Sequence, residues 1–390
     1  MPPIYLDNAA STRVADEVLA LMTEVMRTAW GNPSSQHPQG AAARAHLETA
    51  RQRLLAALGD RGGIVRASSP SAPPDALATG EIVWTSGCSE ANALAVLGAA
   101  RTHAGKLVIS TLEHPAISTL ADRLAAEGRE VVRIAPGRDG VLDADAVGRA
   151  SAGAAVVSLI AVQNEIGVVQ PIASIVAAIR RAAPEAHIHV DAAQALGKIA
   201  LDVASGVDSI AIAGHKLHAP KGVGALWLRA GATVEPLWVG GGQQRGLRGG
   251  TQDAPSAAGL GLAAERAVTA LPRARARWLE LAGVVMSTLA ERGVAVRQLV
   301  PDHRRAPHIL ALGIPGVPAS ALRNTLASRG IYISTGSACA DGDAKPSPVL
   351  EAIGLPPDHG MVRLSFALDT TADDVTTAAT ILADVVKSLS

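Results

Sequence analysis

The sequence predicts an α/β protein: a large unit built on a mainly parallel, helix-covered sheet, then a smaller α/β unit. Three observations carry that prediction. Short apolar runs alternate with helical patterns, a long helical stretch follows a Gly-rich segment, and 390 residues exceed the usual size of one hydrophobic core. In order, the apolar runs cover residues 81–84, 107–110, 131–134, 155–161, 188–190, 209–213 and 224–228, each of strand length. Helices are expected between them, at 89–102, 116–127 and 172–182. Sheets of this kind bind ligands at the carboxyl ends of their strands. Residues 66–80, rich in Ser, Pro and Ala, read as a surface loop inserted before a strand. The Gly-rich segment 240–250 leads into a helical stretch at 252–292, expected to be interrupted by Pro272 and to link two domains. Beyond it, strands at 294–299, 308–312, 331–334 and 361–366 alternate with helices. The expected division is a large cofactor-binding domain at 14–262 and a small domain formed by 1–13 and 263–390.

Composition narrows the function. Acidic and basic side chains balance at 35 each, so no global field draws nucleic acid or an anionic membrane, and a small molecule or a protein is the expected partner. The first residues lack the basic and apolar regions of a signal peptide, and no apolar run approaches the roughly 18 residues of a membrane span. A cytoplasmic protein is expected. Cys88 and Cys339 are the only cysteines, which excludes a disulfide framework and a cysteine-rich metal site, and no metal is expected. Arg273, Arg275 and Arg277, beside Trp278, read as a solvated helix face rather than a nucleic-acid patch.

Six lysines stand among the 35 basic side chains, and one of them, Lys216, closes Ala213-Gly214-His215-Lys216 just after an apolar run. Such a lysine can form a Schiff base, or it can be a solvated lysine at a strand end. Residues 85–92 follow a strand and open a helix, so their N–H groups and the Ser89 hydroxyl can hold a phosphate; an ordinary N-cap by Ser86 or Ser89 explains them equally. Asp191 ends a strand, where it can bond a protonated pyridine nitrogen or merely cap the next helix. Gln194, three residues on, can reach a phenolic oxygen. His114 can stack on a ring and move protons, although a lone histidine is also commonly structural. Asn164 adds an amide to the same edge. A lysine, a phosphate cradle, an acid and a ring clamp are what pyridoxal phosphate requires of a protein.

Cys339 lies in the small, polar stretch 334–343 and reads as a nucleophile on a loop, since a structural cysteine is expected among apolar residues. Cys88, at a helix start where a thiol pKa can fall, is counted with the cofactor-binding stretch, its side chain reading as structural. Arg363, flanked by apolar residues, offers a planar fork to a substrate carboxylate.

With these residues in place, the chain resembles the NifS-like cysteine desulfurases, class V aminotransferases of the aspartate aminotransferase-like pyridoxal-phosphate fold type I. The resemblance spans nearly the whole chain. It rests on Tyr5-Leu6-Asp7-Asn8-Ala9-Ala10, Gly31-Asn32-Pro33-Ser34-Ser35, residues 85–92, Glu113-His114, Asn164-Glu165-Ile166-Gly167, His189-Val190-Asp191-Ala192-Ala193-Gln194, Gly214-His215-Lys216, Arg248-Gly249-Gly250-Thr251, Gly336-Ser337-Ala338-Cys339 and Arg363-Leu364-Ser365, in family order. It implies Lys216 as the Schiff-base lysine, Asp191 on the pyridine nitrogen, Gln194 on the phenolic oxygen and His114 against the ring. Ser89 and His215 match phosphate-binding positions. Thr251 matches a threonine that reaches the partner subunit's cofactor, which implies a homodimer. Arg363 and Asn164 match the residues that hold the substrate carboxylate, and Cys339 the sulfur-accepting cysteine.

The implied reaction converts L-cysteine to L-alanine and leaves a persulfide on Cys339 for a sulfur-acceptor or scaffold protein, as in iron–sulfur cluster assembly. Selenocysteine lyase, or another pyridoxal-phosphate lyase or aminotransferase of the same fold, is the alternative enzyme; a non-catalytic scaffold is the alternative of another class. Four departures stand out. Ala213 replaces a usual serine or threonine, Gln244 a common glutamate and Gly249 a common serine, and the insertion at 66–80 has no counterpart. The spacing from Cys339 to Pro346 resembles the longer catalytic loop of sulfur-delivering members, with Asp341, Asp343 and Lys345 unusual in it.

Overall fold

A computed structural model describes residues 2–60, 63–64, 77–78, 80–201, 206–336 and 347–389. In chain order the elements begin with β1 (Ile4–Tyr5), α1 (Asp16–Thr28), α2 (Pro38–Ala57), β2 (Gly63–Ile64), β3 (Leu77–Ala78), β4 (Glu81–Thr85), α3 (Cys88–Thr102) and β5 (Lys106–Ser110). They continue with α4 (Pro115–Ala126), β6 (Val131–Ile134), α5 (Ala144–Ala150), β7 (Ala154–Ile160), α6 (Ile172–Ala182), β8 (His187–Asp191), β9 (Ser209–Ala213) and β10 (Gly224–Leu228). The last third holds α7 (Ala254–Glu291), β11 (Arg297–Gln298), β12 (Ile309–Pro315), α8 (Ala319–Ser328), β13 (Ile331–Tyr332), α9 (Pro348–Ala352), β14 (His359–Ser365) and α10 (Ala372–Leu389).

Seven strands form the central sheet in the order β4-β10-β9-β8-β7-β5-β6. The run from β9 to β6 is parallel, and β10 pairs antiparallel with both β9 and β4. Two reversals leave β4 running with the parallel set. The carboxyl ends of β4, β5, β7, β8 and β9 therefore open on one edge, which places Thr85, Ser110, Ile160, Asp191 and Ala213 together.

Burial explains the strands. β7 is covered along its whole length, as expected of a parallel strand between two helical layers. β8 is also fully buried, although it reads His-Ile-His-Val-Asp, so its polar side chains must find partners inside. Small residues on α3, among them Ala91, Ala95 and Ala99, let that helix lie close over the sheet. At the β4–α3 turn, a Cβ on Gly224 would stand 2.6 Å from the Gly87 carbonyl carbon, so only glycine lets β10 pass under the turn.

The expected break at Pro272 does not occur: α7 is continuous over 38 residues. Pro272 lies on the exposed side of the helix, away from both cores that the helix packs into. The first part of α7, to Ala267, packs into the main core, and its second part, from Ala274, packs into a separate core. That second core is built on β12, β14, α8 and α10 and takes in Ile4 and Leu6 from the N-terminal segment. The strand expected at 294–299 shrinks to Arg297–Gln298, because β11 is an edge strand paired only with β12. The expected strand at 331–334 contracts to Ile331–Tyr332, with Ser334 bridged singly to Arg363. Arg273 and Arg275 are exposed on α7, a solvated face as expected. Residues 66–76 and 79 of the insertion, and residues 337–346 with Cys339, Asp341, Asp343 and Lys345, lie outside the described residues. Among the described residues no helix is long and apolar enough to cross a membrane.

Candidate active site

The strand ends, the start of α3 and the N-terminal segment enclose a cavity of about 670 Å³. Its wall carries Lys216, His215, Asp191, Gln194, His114, Ser89, Cys88, Asn164 and Arg363, so most of the sequence candidates converge on one space. Thr251 is outside it and exposed.

Lys216 ends a single helical turn after β9 and donates from Nζ to the carbonyls of Ala9 and Ala10, the latter at 2.7 Å. Burial, and then the Arg363 charge, push its pKa down to about 8. A much larger fraction is therefore uncharged near neutrality than in a free lysine. The neighbouring ring of His215 is pushed to about 4 by burial and by Lys216, so it stays neutral, and its Nδ1 lies 3.3 Å from Ser11 Oγ.

Asp191 is buried at the end of β8. Its Oδ2 accepts from Asn92 Nδ2 at 2.7 Å, and its Oδ1 from the Ala193 N–H at 2.9 Å and the Cys88 thiol at 3.6 Å. A helix start can lower a thiol pKa, but at Cys88 it does not. Burial, then the Asp191 charge, hold the thiol well above its ordinary value, so it remains a donor.

His114 serves two purposes. Its Nδ1 caps α4 by accepting from the Ala116 N–H at 3.1 Å, which leaves any ring proton on Nε2. Burial lowers its pKa. The adjacent Glu113 anchors the turn: its Oε1 accepts from Ser110 Oγ at 2.6 Å and the Ile160 N–H at 2.9 Å, and burial raises its carboxyl to about 8.

The α3 start lacks a side-chain cap; Gly87 occupies the N-cap position. Its first N–H groups and the exposed Ser89 hydroxyl therefore face the cavity as an anion cradle. Glu90, the nearby acid, is engaged by the Ser86 N–H at 2.6 Å and by Arg248 Nε at 3.1 Å. Arg363 on β14 donates to Asp7 at 2.5 Å and to the Asn164 carbonyl at 2.7 Å, and its buried Nε has no partner among the described residues. Gln194 donates to the Ala9 carbonyl at 2.7 Å and accepts from His308 at 3.2 Å, which leaves one amide hydrogen toward the cavity.

A buried carboxylate, an uncapped helix start, a partly neutral lysine and an unfilled guanidinium nitrogen match the donor set that pyridoxal phosphate and an amino-acid carboxylate would need. Sequence reasoning missed Lys221, in the Pro220-Lys221-Gly222 stretch, which lines the same wall. It also missed Asn92, whose only signal was its place at the end of the 85–92 motif.

Residues 74–377 match the aminotransferase class-V family. The cysteine desulfurase of Rhodobacter capsulatus is 38% identical over 400 aligned positions, which cover 100% of this chain and 97% of that protein. A solved NifS-like protein superposes with a TM-score of 0.87 at 31% identity, over 99% of this chain and 100% of its own. SspA, solved in complex with cysteine, gives a TM-score of 0.75 at 29% identity, over 93% of this chain and 98% of its own.

Proposed function

The chain belongs to the aminotransferase class-V family and is a cysteine desulfurase, and from that premise we propose how its cavity serves the reaction: pyridoxal phosphate on Lys216, L-cysteine on Arg363 and Asn164, and sulfur taken by Cys339. When bound, pyridoxal phosphate supplies an electron sink that weakens the Cα–H and Cβ–S bonds of the substrate. The observation that carries the reading is that Lys216 Nζ, the Asp191 carboxylate, His114 and Arg363 face one cavity.

Asp191, fixed by three donors, would hold the proton of the ring nitrogen. Gln194 would offer its remaining amide hydrogen to the phenolic oxygen. Ser89, the first N–H groups of α3 and neutral His215 hold the phosphate, and Lys221 adds a charge to that wall. The Arg363 fork would orient the substrate carboxylate beside Asn164, and the amine of Lys216, its pKa lowered to about 8, would move the α-proton. The imidazole of His114 would lie against the cofactor ring, with Nε2 the nitrogen free to exchange protons.

Gly336 lies on the cavity wall, and three residues of chain reach at most about 10 Å. Cys339 follows Gly336 by three residues, and attack of its thiolate on the substrate sulfur, which breaks the Cβ–S bond and releases the carbon skeleton as alanine, would leave the persulfide on Cys339. Thr251, exposed outside the cavity, serves the cofactor of a second copy, and the working unit is a homodimer.

Purified protein supplied with pyridoxal phosphate should show a visible absorption band that is absent in Lys216→Ala. Cys339→Ala should keep the band and lose sulfide release from cysteine under reductant. Sulfide release at the wild-type rate in Cys339→Ala would rule out the persulfide route.

A further inference from the structure

We infer that His187, Ser209, His189 and Asn92 form a one-way hydrogen-bond chain that positions Asp191, and that Asn92 and His189 are positioning residues for the cofactor's ring nitrogen. This rests on the proposal that pyridoxal phosphate binds with that nitrogen on Asp191.

The chain begins in a sequence pattern. Alternation along β8 puts His187, His189 and Asp191 on one face, and the β8–β9 register sets Ser209 opposite His189. The helix α3 covers that face and lowers Asn92 onto it. Distances are 2.8 Å from His187 Nε2 to Ser209 Oγ, 2.8 Å from Ser209 Oγ to His189 Nδ1, 2.9 Å from His189 Nε2 to Asn92 Oδ1 and 2.7 Å from Asn92 Nδ2 to Asp191 Oδ2. His189, Asn92, Ser209 and Asp191 are all buried.

Chemistry fixes the direction of every bond. A carboxylate only accepts, so Asn92 must present its NH2 to Asp191 and its carbonyl to His189. That carbonyl only accepts, so the His189 proton is on Nε2. Burial pushes the ring of His189 to about 3, so it is neutral and Nδ1 is an acceptor. The Ser209 hydroxyl therefore donates to His189, and its oxygen takes the Nε2–H of His187. His187 is held to about 4, chiefly by burial; His103, Arg180 and Arg229 lower it further and Asp208 opposes them. Around Asp191 itself stand Cys88, Lys216, His114 and Glu113.

A chain of neutral groups ending on one carboxylate oxygen orients that carboxylate and supplies no proton to it. Asp191 has Oδ2 held by Asn92 and Oδ1 held by the Ala193 N–H and the Cys88 thiol, and it lines the cavity. A ring nitrogen that keeps its proton withdraws electrons from the carbon–nitrogen double bond joining the cofactor to Lys216, and so lowers the pKa of that second nitrogen. Loosening Asp191 lets that pKa rise.

The test titrates the visible band of the cofactor-loaded protein against pH and measures the pyridoxal phosphate dissociation constant of the apoprotein by tryptophan fluorescence. Asn92→Leu should move the titration midpoint up by about half a unit or more and weaken cofactor binding roughly tenfold. Ser209→Ala should move the midpoint the same way by less, and Ser209→Thr, which keeps a hydroxyl, should restore it. Should Asn92→Leu fail to fold, the Ser209 pair decides alone. An unmoved midpoint in the folded variants overturns the inference; a wild-type protein that shows no visible band overturns the cofactor proposal, and this one with it.

Discussion

Ala213 is buried to 1% exposure on the cavity wall, at the strand end where the family resemblance leads one to expect a hydroxyl. A bond from a hydroxyl to a charged phosphate contributes about 1.5–3 kcal/mol, so Ala213→Ser should tighten pyridoxal phosphate binding by about tenfold or more. An equilibrium titration with an unchanged dissociation constant would show that another donor, with Lys221 the nearest candidate, already fills that role. Gln244 has a local explanation: its amide donates to the Trp84 carbonyl at 3.0 Å and accepts from the Trp84 N–H at 2.5 Å. A glutamate could accept from that strand edge but could not donate to it. Residue chemistry was legible for Lys216, Asp191 and His114, because each ends an apolar run. Asn92 and Lys221 were not legible, since an amide in a helix and a lysine in a turn look the same whether or not a cavity lies beside them.

At the scale of the element, β8 makes a pH-dependent contribution to stability. Its two histidines have pKa values of about 4 and about 3 in the fold, against 6.5 when unfolded, so below 6.5 the unfolded chain binds more protons than the native one. Stability from this source is complete above pH 6.5 and falls on acidification toward the native values. Each histidine should cost about 2 kcal/mol between pH 7 and pH 5. Thermal melts should therefore show a falling Tm over that interval, and His187→Asn should flatten the slope. An equal slope in that variant would place the acid sensitivity elsewhere. The strand was readable from its position between helical patterns, but two buried histidines are the opposite of what an apolar strand leads one to expect. Only their pairing with Ser209 and Asn92 makes the burial affordable. Pro272 in α7 teaches a similar lesson: proline predicts a break, yet the helix runs through it with its two halves packed into the two cores.

Across the whole molecule, the N-terminal segment ties the two cores at the site. Ile4 and Leu6 pack in the second core, Asp7 pairs with Arg363, Asn8 donates to the Ser365 carbonyl at 2.9 Å, and Thr12 Oγ1 donates to the His215 carbonyl at 2.9 Å. Large apolar side chains remain uncovered elsewhere: Trp30 is 69% and Val239 95% exposed, the latter beside Trp238. A second copy is the expected cover, so light scattering should give a mass near twice 39.6 kDa, and Val239→Asp should shift it toward the monomer. A wild-type monomer at working concentration would remove the dimer and the role given to Thr251. The sequence by itself determined the α/β class and the strand order along the chain, and it supplied the residues proposed for the chemistry, because periodicity and short motifs are local properties. The tertiary structure decided that these residues share one cavity, that Cys88 stays a thiol, and that Asp191 is held from behind by Asn92 and His189. Those outcomes depend on burial and on which strand ends meet across the sheet, and neither is a property of any stretch of chain taken alone.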